Sequence, residues 1–517
     1  MKTYKYLILA LVGLSIAGCS NLEEEPVGLL SPEGFFSTPK DIQTAVNATY
    51  GHMINEQFWG RKQTIALMLR SDMVDLASTE TERMEMNNLT TLTDNKMIDN
   101  FWPRSFQAIA ACNEAIAGAE HVNVADAVKN PITAQAHFIR AFMYFHLVRQ
   151  FGAVPYMDSP AIPASATISR APAAQVYDKI IADLEYAVTW LPNTTTSRAI
   201  PSKAAAHSYL ALVYLTMSGN TDNAVLLAKA FSEAKHVIDN KGLYNLDLDG
   251  DFQNLFNANK IDASKEPIFA LDYNNFEGAD NGYDQLAPMT GIRGDDRNQG
   301  GGWSVAVPAL KVYTTWDAND YRRAVSMSDG ASINGTLVPY TNFTISGHKF
   351  AKNRPYIAKY DRYPGAFARI NARATSHNYS MIRYAEVLLI AAEASITTNN
   401  ALARTYINEV RARARKGGAT QKGGIAVTVG ANALPADLTG TVTVADVLEE
   451  RRLELAFEGI RWYDIVRRKM GGAPYNVFGA SGLEGAKAGF TADDYLLPIL
   501  ANEITRNPNL LPQNPGY

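Results

Sequence analysis

The sequence contains few of the residues that build disulfide scaffolds or cysteine-rich metal sites. Its 517 residues include only two cysteines, Cys19 and Cys112. The eight histidines form no HExxH motif, and no CxxC pair is present. We therefore expect neither a disulfide framework nor a cysteine-rich metal centre.

Excess positive charge is also absent, since 48 Lys and Arg residues face 52 Asp and Glu residues, for a net charge of -4. Nucleic-acid binding depends on a basic surface, so the composition gives that class of function no support. Only one long uncharged apolar run occurs, which excludes a multi-span membrane protein. The 47% of hydrophobic residues can bury a substantial core, which excludes a disordered chain.

The single apolar run has the pattern of an export signal. Lys2 and Lys5 precede residues 6–17, an apolar segment shorter than the roughly 20 residues of a spanning helix. The letters that follow this segment resemble a bacterial lipobox ending at Cys19, which would accept a diacylglycerol. The alternative is an ordinary signal peptide followed by a chance cysteine.

These features predict a lipoprotein signal peptide over residues 1–18 and a lipidated tether over residues 19–38. Several acyl chains on Cys19 would anchor the protein durably in a membrane. The tether contains an acidic cluster, residues 23–25, that resembles the surface-export signal of Bacteroidetes lipoproteins; a solvated linker is the alternative. We expect a lipid-anchored outer-membrane protein exposed at the cell surface.

Apolar residues at helical spacing dominate most of the remaining chain. Helices are predicted over residues 39–50, 101–119, 133–151, 172–191, 202–217, 223–240, 379–396, 401–416 and 444–470. Two successive helix pairs, residues 202–240 and 379–416, have the length and close-packing alanines of tetratricopeptide-like hairpins, although the full consensus is absent. The sequence therefore predicts a mainly α fold, with a helical scaffold over residues 39–244 and 379–517.

Residues 245–378 have a different composition, rich in Gly, Asn, Asp and aromatic residues, with little helical periodicity. We expect this region to be a loop-rich ligand-binding insert carried by the rigid scaffold. Residues 77–100 and 416–440 are also predicted to be loops.

No pattern in the chain indicates catalysis. Glu449, Glu450, Glu454 and Glu458 alternate with arginines at i,i+3 and i,i+4 spacing, which favours ion pairs on one helix face over a catalytic carboxylate pair. We therefore predict that the protein is not an enzyme, with a glycosidase as the less favoured alternative.

A cofactor is not expected either. Asp247, Asp249 and Asp251 alternate like part of a calcium loop, but the glycine comes too early and Ala258 stands where a bidentate glutamate is needed. A solvated turn is the simpler interpretation, and Ca²⁺ binding is the alternative.

Carbohydrate binding requires an aromatic ring to cover the apolar face of a sugar, with polar groups nearby for its hydroxyls. The candidate residues for glycan contact are Trp303, Tyr283, Tyr273, Trp59, Arg293, Asp296, Asn298 and Asn275. Trp303 leads this group because three glycines precede it and no helical pattern includes it; the alternative is that it packs beneath the loop. Trp316, by contrast, is predicted to lie in the core.

Four stretches resemble the SusD/RagB family of Bacteroidetes outer-membrane lipoproteins. They are residues 139–152 (IRAFMYFHLVRQFG), 383–393 (RYAEVLLIAAE), 450–467 (ERRLELAFEGIRWYDIVR) and 497–517 (LPILANEITRNPNLLPQNPGY). The resemblance implies a tetratricopeptide-like scaffold with an irregular ligand-binding region. It also implies that the protein captures glycan without cleaving it and passes it to a SusC-like TonB-dependent transporter.

The family motifs belong to the scaffold, so no sugar-binding residue is transferred by the resemblance. A tetratricopeptide-type scaffold that binds protein or peptide remains the alternative function. Arg293 and Arg297 would suit an anionic glycan, but Asp295 and Asp296 lie between them, so the sequence does not choose between neutral and acidic ligands.

Overall fold

The computed structural model describes most of the chain after residue 31. The described residues are 32–160, 168–273, 282, 284–296, 302–342, 354–365, 375, 377–416, 434–479, 487 and 489–517. The predicted signal peptide, the predicted lipidation residue Cys19 and most of the predicted tether lie outside them.

Helices account for most of the described secondary structure. In chain order they are α1 (Pro32–Phe35), α2 (Pro39–Met53), α3 (Lys62–Arg70), α4 (Thr81–Asn88), α5 (Phe101–Ala119), α6 (Asp126–Phe151), α7 (Ala173–Trp190), α8 (Lys203–Ser218), α9 (Ala224–Asp239), α10 (Leu286–Thr290), α11 (Leu310–Thr315), α12 (Tyr321–Ser326), α13 (Tyr384–Ser395), α14 (Asn400–Ala414), α15 (Val444–Glu454), α16 (Arg461–Arg467) and α17 (Ala501–Arg506).

The strands are short and pair in antiparallel twos. They are β1 (Val74–Leu76), β2 (Pro267–Leu271), β3 (Ala306–Pro308), β4 (Met327–Ser328), β5 (Gly330–Ile333), β6 (Thr336–Pro339), β7 (Tyr356–Ile357) and β8 (Tyr379–Arg383). The pairs are β1 with β3, β2 with β8, β4 with β7 and β5 with β6.

Neighbouring helices of the scaffold pack against each other in succession. Helix α5 contacts α2 and α6, α6 contacts α7, α7 contacts α8, α8 contacts α9, α9 contacts α13, and α13 contacts α14. This serial packing of helical hairpins is the mainly α, tetratricopeptide-like fold predicted from the sequence.

Helix α6 forms the centre of the scaffold core. Phe138 and Phe142 are buried, and both rings contact Tyr209 of α8 and Phe269 of β2. The same aromatic cluster therefore joins the scaffold to the first strand of the region between the helical blocks. Cys112 of α5 is also fully buried.

The prediction of one helix over residues 379–396 is wrong in its first turn. Residues 379–383 form β8, which pairs with β2 so that Leu271 lies opposite Tyr379 and Pro267 opposite Arg383. The pairing brings the two ends of the region between the helical blocks together, a long-range contact that overrides the local helical pattern.

The predicted helix over residues 444–470 is divided into α15 and α16. Phe457 and Gly459 in the connecting turn adopt left-handed φ values of 64° and 73°, which no α-helix can contain. Tyr379 Oη donates a hydrogen bond to the carbonyl oxygen of Glu458 in this turn.

Residues 77–100 are not a loop throughout, because α4 lies within them. Met86 and Asn87 of this helix are buried. Its polar sequence, TERMEMNN, gives too little apolar periodicity to reveal a short helix.

The glutamates of α15 form buried ion pairs with distant segments, which corrects the expectation of pairs along one helix face. Arg383 of β8 contacts Glu266, Glu454 and Glu458, all of them buried. Arg322 of α12 lies 2.6 Å from Glu450. Among the paired glutamates of α15, Glu449 alone follows the predicted i,i+3 spacing, through Arg452.

A small apolar cluster lies apart from the main core. It consists of Ala77, Ile292, Val307, Ala331 and Tyr356. These residues come from the end of β1, from β3, β5 and β7, and from the segment after α10, so the cluster fixes the short strands relative to one another. Within the described ranges, no helix has the length and apolar character needed to cross a bilayer.

Candidate functional site

The backbone around Trp303 is held by a close approach of two glycines. A Cβ atom at Gly302 would lie 2.2 Å from the carbonyl carbon and oxygen of Gly291. Only glycine fits such an approach without displacing the backbone. The segment that carries Trp303 is therefore pressed against the end of α10.

Three backbone hydrogen bonds continue this contact. The amides of Trp303, Ser304 and Val305 donate to the carbonyl oxygens of Pro288 (2.6 Å), Gly291 (2.9 Å) and Met289 (3.0 Å), respectively. Ser304 adopts a left-handed φ of 53°. Together these contacts fix the path of the chain into β3.

The Trp303 side chain is partly exposed, and its buried part packs against the main core. The predicted role at the surface and the alternative, packing beneath the loop, therefore each describe part of the ring. One portion anchors the segment, and the other is available at the surface.

Arg293 lies beside this segment. Its amide donates to Ser304 Oγ at 2.8 Å, and its side chain is exposed. The guanidinium has no hydrogen bond or ion pair with any described residue. Burial raises the pKa of nearby Tyr356, while a hydrogen bond with Ser304 and the charge of Arg293 act in the opposite direction.

Asp296 holds the neighbouring hairpin of β5 and β6. Its Oδ2 accepts hydrogen bonds from the Gly335 amide at 2.6 Å and from Ser332 Oγ at 3.2 Å. The hydrogen bond from Gly335 lowers the pKa of Asp296 below its ordinary value. The Asp296 carboxylate, predicted as a sugar contact, thus has a structural role in the described contacts.

The turn of that hairpin is Asn334-Gly335, with φ values of 50° and 72°. This is the backbone geometry that a two-residue hairpin turn requires, and Asn-Gly is its preferred sequence. Ser332 on the same strand donates its amide to Asp295 Oδ1 at 3.2 Å. Asp295 and Asp296, the two acids that follow Arg293, therefore both form hydrogen bonds with the hairpin.

An aromatic pair missed by the sequence reasoning lies near the end of the hairpin. The rings of Tyr313 and Tyr340 meet edge to face at 5.2 Å, and both side chains are partly exposed. The Arg323 guanidinium stands 4.1 Å from the Tyr313 ring centre, and Tyr313 Oη donates to Asp329 at 3.0 Å. Because the pair joins α11 to the segment after β6, local sequence patterns give no signal for it.

Two predicted sugar-stacking residues are buried, so neither offers a ring to the surface. Trp59 is 2% exposed and packs against Phe142 and His146 of α6. Tyr273 is 1% exposed and belongs to the main core. Both predictions are corrected for the same physical reason, because the two large rings are packed inside the main core.

Three further candidates, Tyr283, Asn275 and Asn298, lie outside the described residues. Trp316 is buried, as predicted, and its indole N–H donates to Asp320 at 3.0 Å.

Two of the aspartates that suggested a calcium loop accept hydrogen bonds within their own turn, and one of them also accepts from a distant tyrosine. Asp249 Oδ1 accepts from the Asp251 amide at 3.0 Å and from Asn254 Nδ2 at 2.9 Å. Asp251 Oδ1 accepts from the Gln253 amide and from Tyr321 Oη. Across the described ranges, no group of three or more His, Cys, Asp or Glu side chains is arranged to hold a metal ion.

Two parts of the chain match known families. Residues 340–517 match the SusD family, and residues 32–215 match a family described as starch-binding associating with outer membrane. A SusD-like protein P2 from Formosa agariphila is 47% identical, and the alignment covers 100% of both chains.

Solved structures share the fold at lower sequence identity. A SusD homologue from Bacteroides thetaiotaomicron is 20% identical, with a TM-score of 0.79 over 94% of this chain and 98% of its own. Surface glycan-binding protein A from the same species, in complex with laminarihexaose, is 19% identical, with a TM-score of 0.72 over 92% of this chain and 99% of its own. From the full-length 47% identity together with the matched segments, we conclude that the chain belongs to the SusD family.

Proposed function

We propose that this protein binds an oligo- or polysaccharide at the surface formed by Trp303 and Arg293. The observation that carries the proposal is the partly exposed Trp303 ring, which packs against the main core and stands on a backbone held by the approach of Gly302 to Gly291. A ring held in one orientation can cover the apolar face of a sugar with little loss of side-chain entropy.

The polar half of the contact falls to Arg293. Its exposed guanidinium has five N–H donors and no acceptor among the described residues, so it can donate to sugar hydroxyls. The laminarihexaose complex of a protein with the same fold supports this class of ligand.

Binding is proposed to occur without cleavage. A glycosidase needs a carboxylic acid whose pKa is raised, so that it can protonate the leaving group. Burial acts to raise the pKa of Glu454 and Glu458, but their buried cationic partners, Arg383 among them, lower both below the ordinary value. These two glutamates, which belong to the densest acidic cluster of the sequence, are therefore held ionised and are unsuited to act as the acid of a glycosidase.

The proposal extends to the cell surface. Lipidation of Cys19 would anchor the chain in the outer membrane, and the family resemblance supports delivery of the glycan to a TonB-dependent transporter. We expect Cys19→Ala to abolish metabolic labelling with a fatty-acid analogue. Labelling that persists in this variant would contradict lipidation at Cys19.

The binding function is tested with purified protein that lacks residues 1–19. Its mobility is measured in native gels containing a panel of neutral and acidic polysaccharides, and each incubated sample is assayed for new reducing ends. We expect retardation by at least one polysaccharide and no release of reducing ends. Retardation by none would contradict glycan binding, and released reducing ends would contradict binding without cleavage.

A further inference from the structure

A cleft opens at the surface between α11, α15 and the segment after α16. Its volume is about 460 Å³, within the range of about 300–1,000 Å³ typical of small-molecule sites. We call it the arginine cleft, and define it by Arg452, Arg461, Asp72, Glu449, Lys311 and Tyr475, all of which line it.

Two bidentate ion pairs hold the arginines of this cleft in place. Arg461 Nε and Nη2 each lie 2.8 Å from the Asp72 carboxylate. Arg452 Nε and Nη2 lie 2.7 and 2.6 Å from the Glu449 carboxylate. Burial acts to raise the pKa of Asp72, but Arg461 and Arg452 together lower it below the ordinary value. Both pairs are therefore ionised, and the charge of Arg452 acts on Asp72 as well as on Glu449.

Unpaired donors remain on the cations of the cleft. Each oxygen of Asp72 and of Glu449 already accepts one hydrogen bond from an arginine. Among the described residues, Arg452 Nη1 reaches only the Met73 thioether, at 3.4 Å, and a thioether is a weak acceptor. Lys311 is exposed, and its ammonium has no partner among the described residues.

The summed charge of the lining is positive. Three cations, Lys311, Arg452 and Arg461, face two carboxylates, Asp72 and Glu449, which leaves one positive charge. Arg461 is 8% exposed, and its Nη1 also lacks a hydrogen-bond partner. A ligand that completes this site must supply acceptor oxygens and is favoured if it carries negative charge.

Apolar side chains also line the cleft. Tyr475 and Val477 are partly exposed, and buried Leu448 lines the cleft with them. An apolar surface in the same cleft as paired charges is the combination that a sugar with an acidic substituent would contact.

This cleft and the Trp303 surface lie at opposite ends of the β1–β3 pair. Val74 lies opposite Pro308, and Leu76 opposite Ala306. Asp72 and Lys311 therefore lie beyond one end of the pair, whereas Trp303 lies beyond the other. Three residues of strand separate the two ends, about 10 Å.

We propose that the arginine cleft is a second saccharide subsite, which binds the carboxylate or sulfate group of an acidic sugar unit. This second proposal rests on the proposed glycan-binding function and specifies the charge of the ligand. Lys311 and the free edge of Arg452 contact the oxyanion, and Tyr475 contacts the sugar ring.

The test uses Lys311→Ala and Lys311→Glu in otherwise unchanged mature protein. Lys40→Ala and Lys40→Glu are the matched controls, since Lys40 is also an exposed helical lysine without a partner among the described residues. Binding is measured on an array of carboxylated, sulfated and neutral oligosaccharides, including laminarihexaose, and sodium sulfate is tested alone by thermal shift.

We expect wild-type protein and the Lys40 variants to bind acidic oligosaccharides equally. Lys311→Ala should weaken that binding about tenfold and Lys311→Glu more strongly, whereas binding of neutral probes should not change. No wild-type binding to any acidic probe would overturn the proposal, as would equal binding by the Lys311 variants.

A thermal shift with sodium sulfate, without retention of any acidic oligosaccharide, would identify a site for free oxyanions and overturn the saccharide assignment. Trp303→Ala in the same array separates this proposal from the first one. If Trp303→Ala abolishes binding while the Lys311 variants bind as wild type, only the second subsite fails. If Trp303→Ala binds as strongly as wild type, the proposal that fails is the saccharide-binding surface around Trp303.

Discussion

Trp303 depends on the residue before it for its position. The closeness of Gly302 to the Gly291 carbonyl leaves no room for a side chain, and Trp303 itself contributes both to the core and to the surface. A change at Gly302 should therefore disturb the binding surface without removing any group that contacts ligand.

We expect Gly302→Ala to lower the free energy of unfolding by about 1–3 kcal/mol, because the added Cβ forces the two backbones apart. Gly250→Ala is the control, since no atom lies within 4 Å of a Cβ at that position. Urea unfolding measures both variants. Equal stability of the two would show that the approach of Gly302 to Gly291 is not tight in solution.

A second residue-scale prediction concerns Asp284, whose carboxyl group is 2% exposed. It accepts hydrogen bonds from Thr375 and from the Leu286 amide, and no cation contacts it among the described residues. Burial raises the pKa of Asp284 to about 7. Between about pH 4 and pH 7 the folded state therefore keeps a proton that the unfolded state releases.

Retention of this proton means that the Asp284 contribution to stability falls as the pH rises through that window. We expect Asp284→Asn to remove the decline. Between pH 4 and pH 7, the free energy of unfolding of the variant should therefore rise relative to that of wild type by an amount of the order of 2–4 kcal/mol. The measurement is urea unfolding at four pH values. Parallel curves for the two proteins would contradict a raised pKa at Asp284.

The sequence could predict Trp303 because it lies outside every helical pattern and follows three glycines. It could not exclude Trp59 or Tyr273, since both lie in polar or irregular sequence and are buried by segments distant in the chain. The same limit applies to Tyr313 and Tyr340, which meet only in the folded protein.

Among the elements, β8 and α15 connect the insert to the scaffold through buried charge. Arg383 at the end of β8 lies 2.7 Å from Glu266 and also contacts Glu454 and Glu458 of the α15 region. Removal of the guanidinium would leave three buried carboxylates with one cation fewer.

We expect Arg383→Met to lower the free energy of unfolding by about 3–5 kcal/mol, the loss typical when one partner of a buried pair is removed. Arg506→Met is the control, because Arg506 is 70% exposed and its pair with Glu503 lies on the surface. Chemical unfolding compares the two variants. A loss below about 1 kcal/mol for Arg383→Met would contradict the importance of the cluster.

Helices with a continuous apolar stripe could be predicted from the sequence, and α5 begins and ends at the predicted residues. The errors occur where a distant segment decides the local structure. Residues 379–383 form a strand because β2 lies beside them, and the break between α15 and α16 depends on left-handed residues that apolar periodicity does not report.

The whole molecule combines a scaffold shared with the SusD family and the proposed saccharide-binding surfaces. The family is evident from scaffold motifs, which are local runs of sequence. The proposed surface is assembled from the segment after α10 and the segment before β3, beside the β5–β6 hairpin, and its contacts are long-range. This is why the sequence identifies the family more fully than the site.

The central claim is that the exposed part of Trp303 binds saccharide, and titration calorimetry of Trp303→Ala tests it most directly. The ligand is the polysaccharide that most strongly retards wild-type protein in the gels, and the control is Trp190→Ala, whose ring is also partly exposed and packs against the same core. We predict at least about fivefold weaker binding for Trp303→Ala and unchanged binding for Trp190→Ala. Wild-type affinity in a folded Trp303→Ala protein would contradict the account.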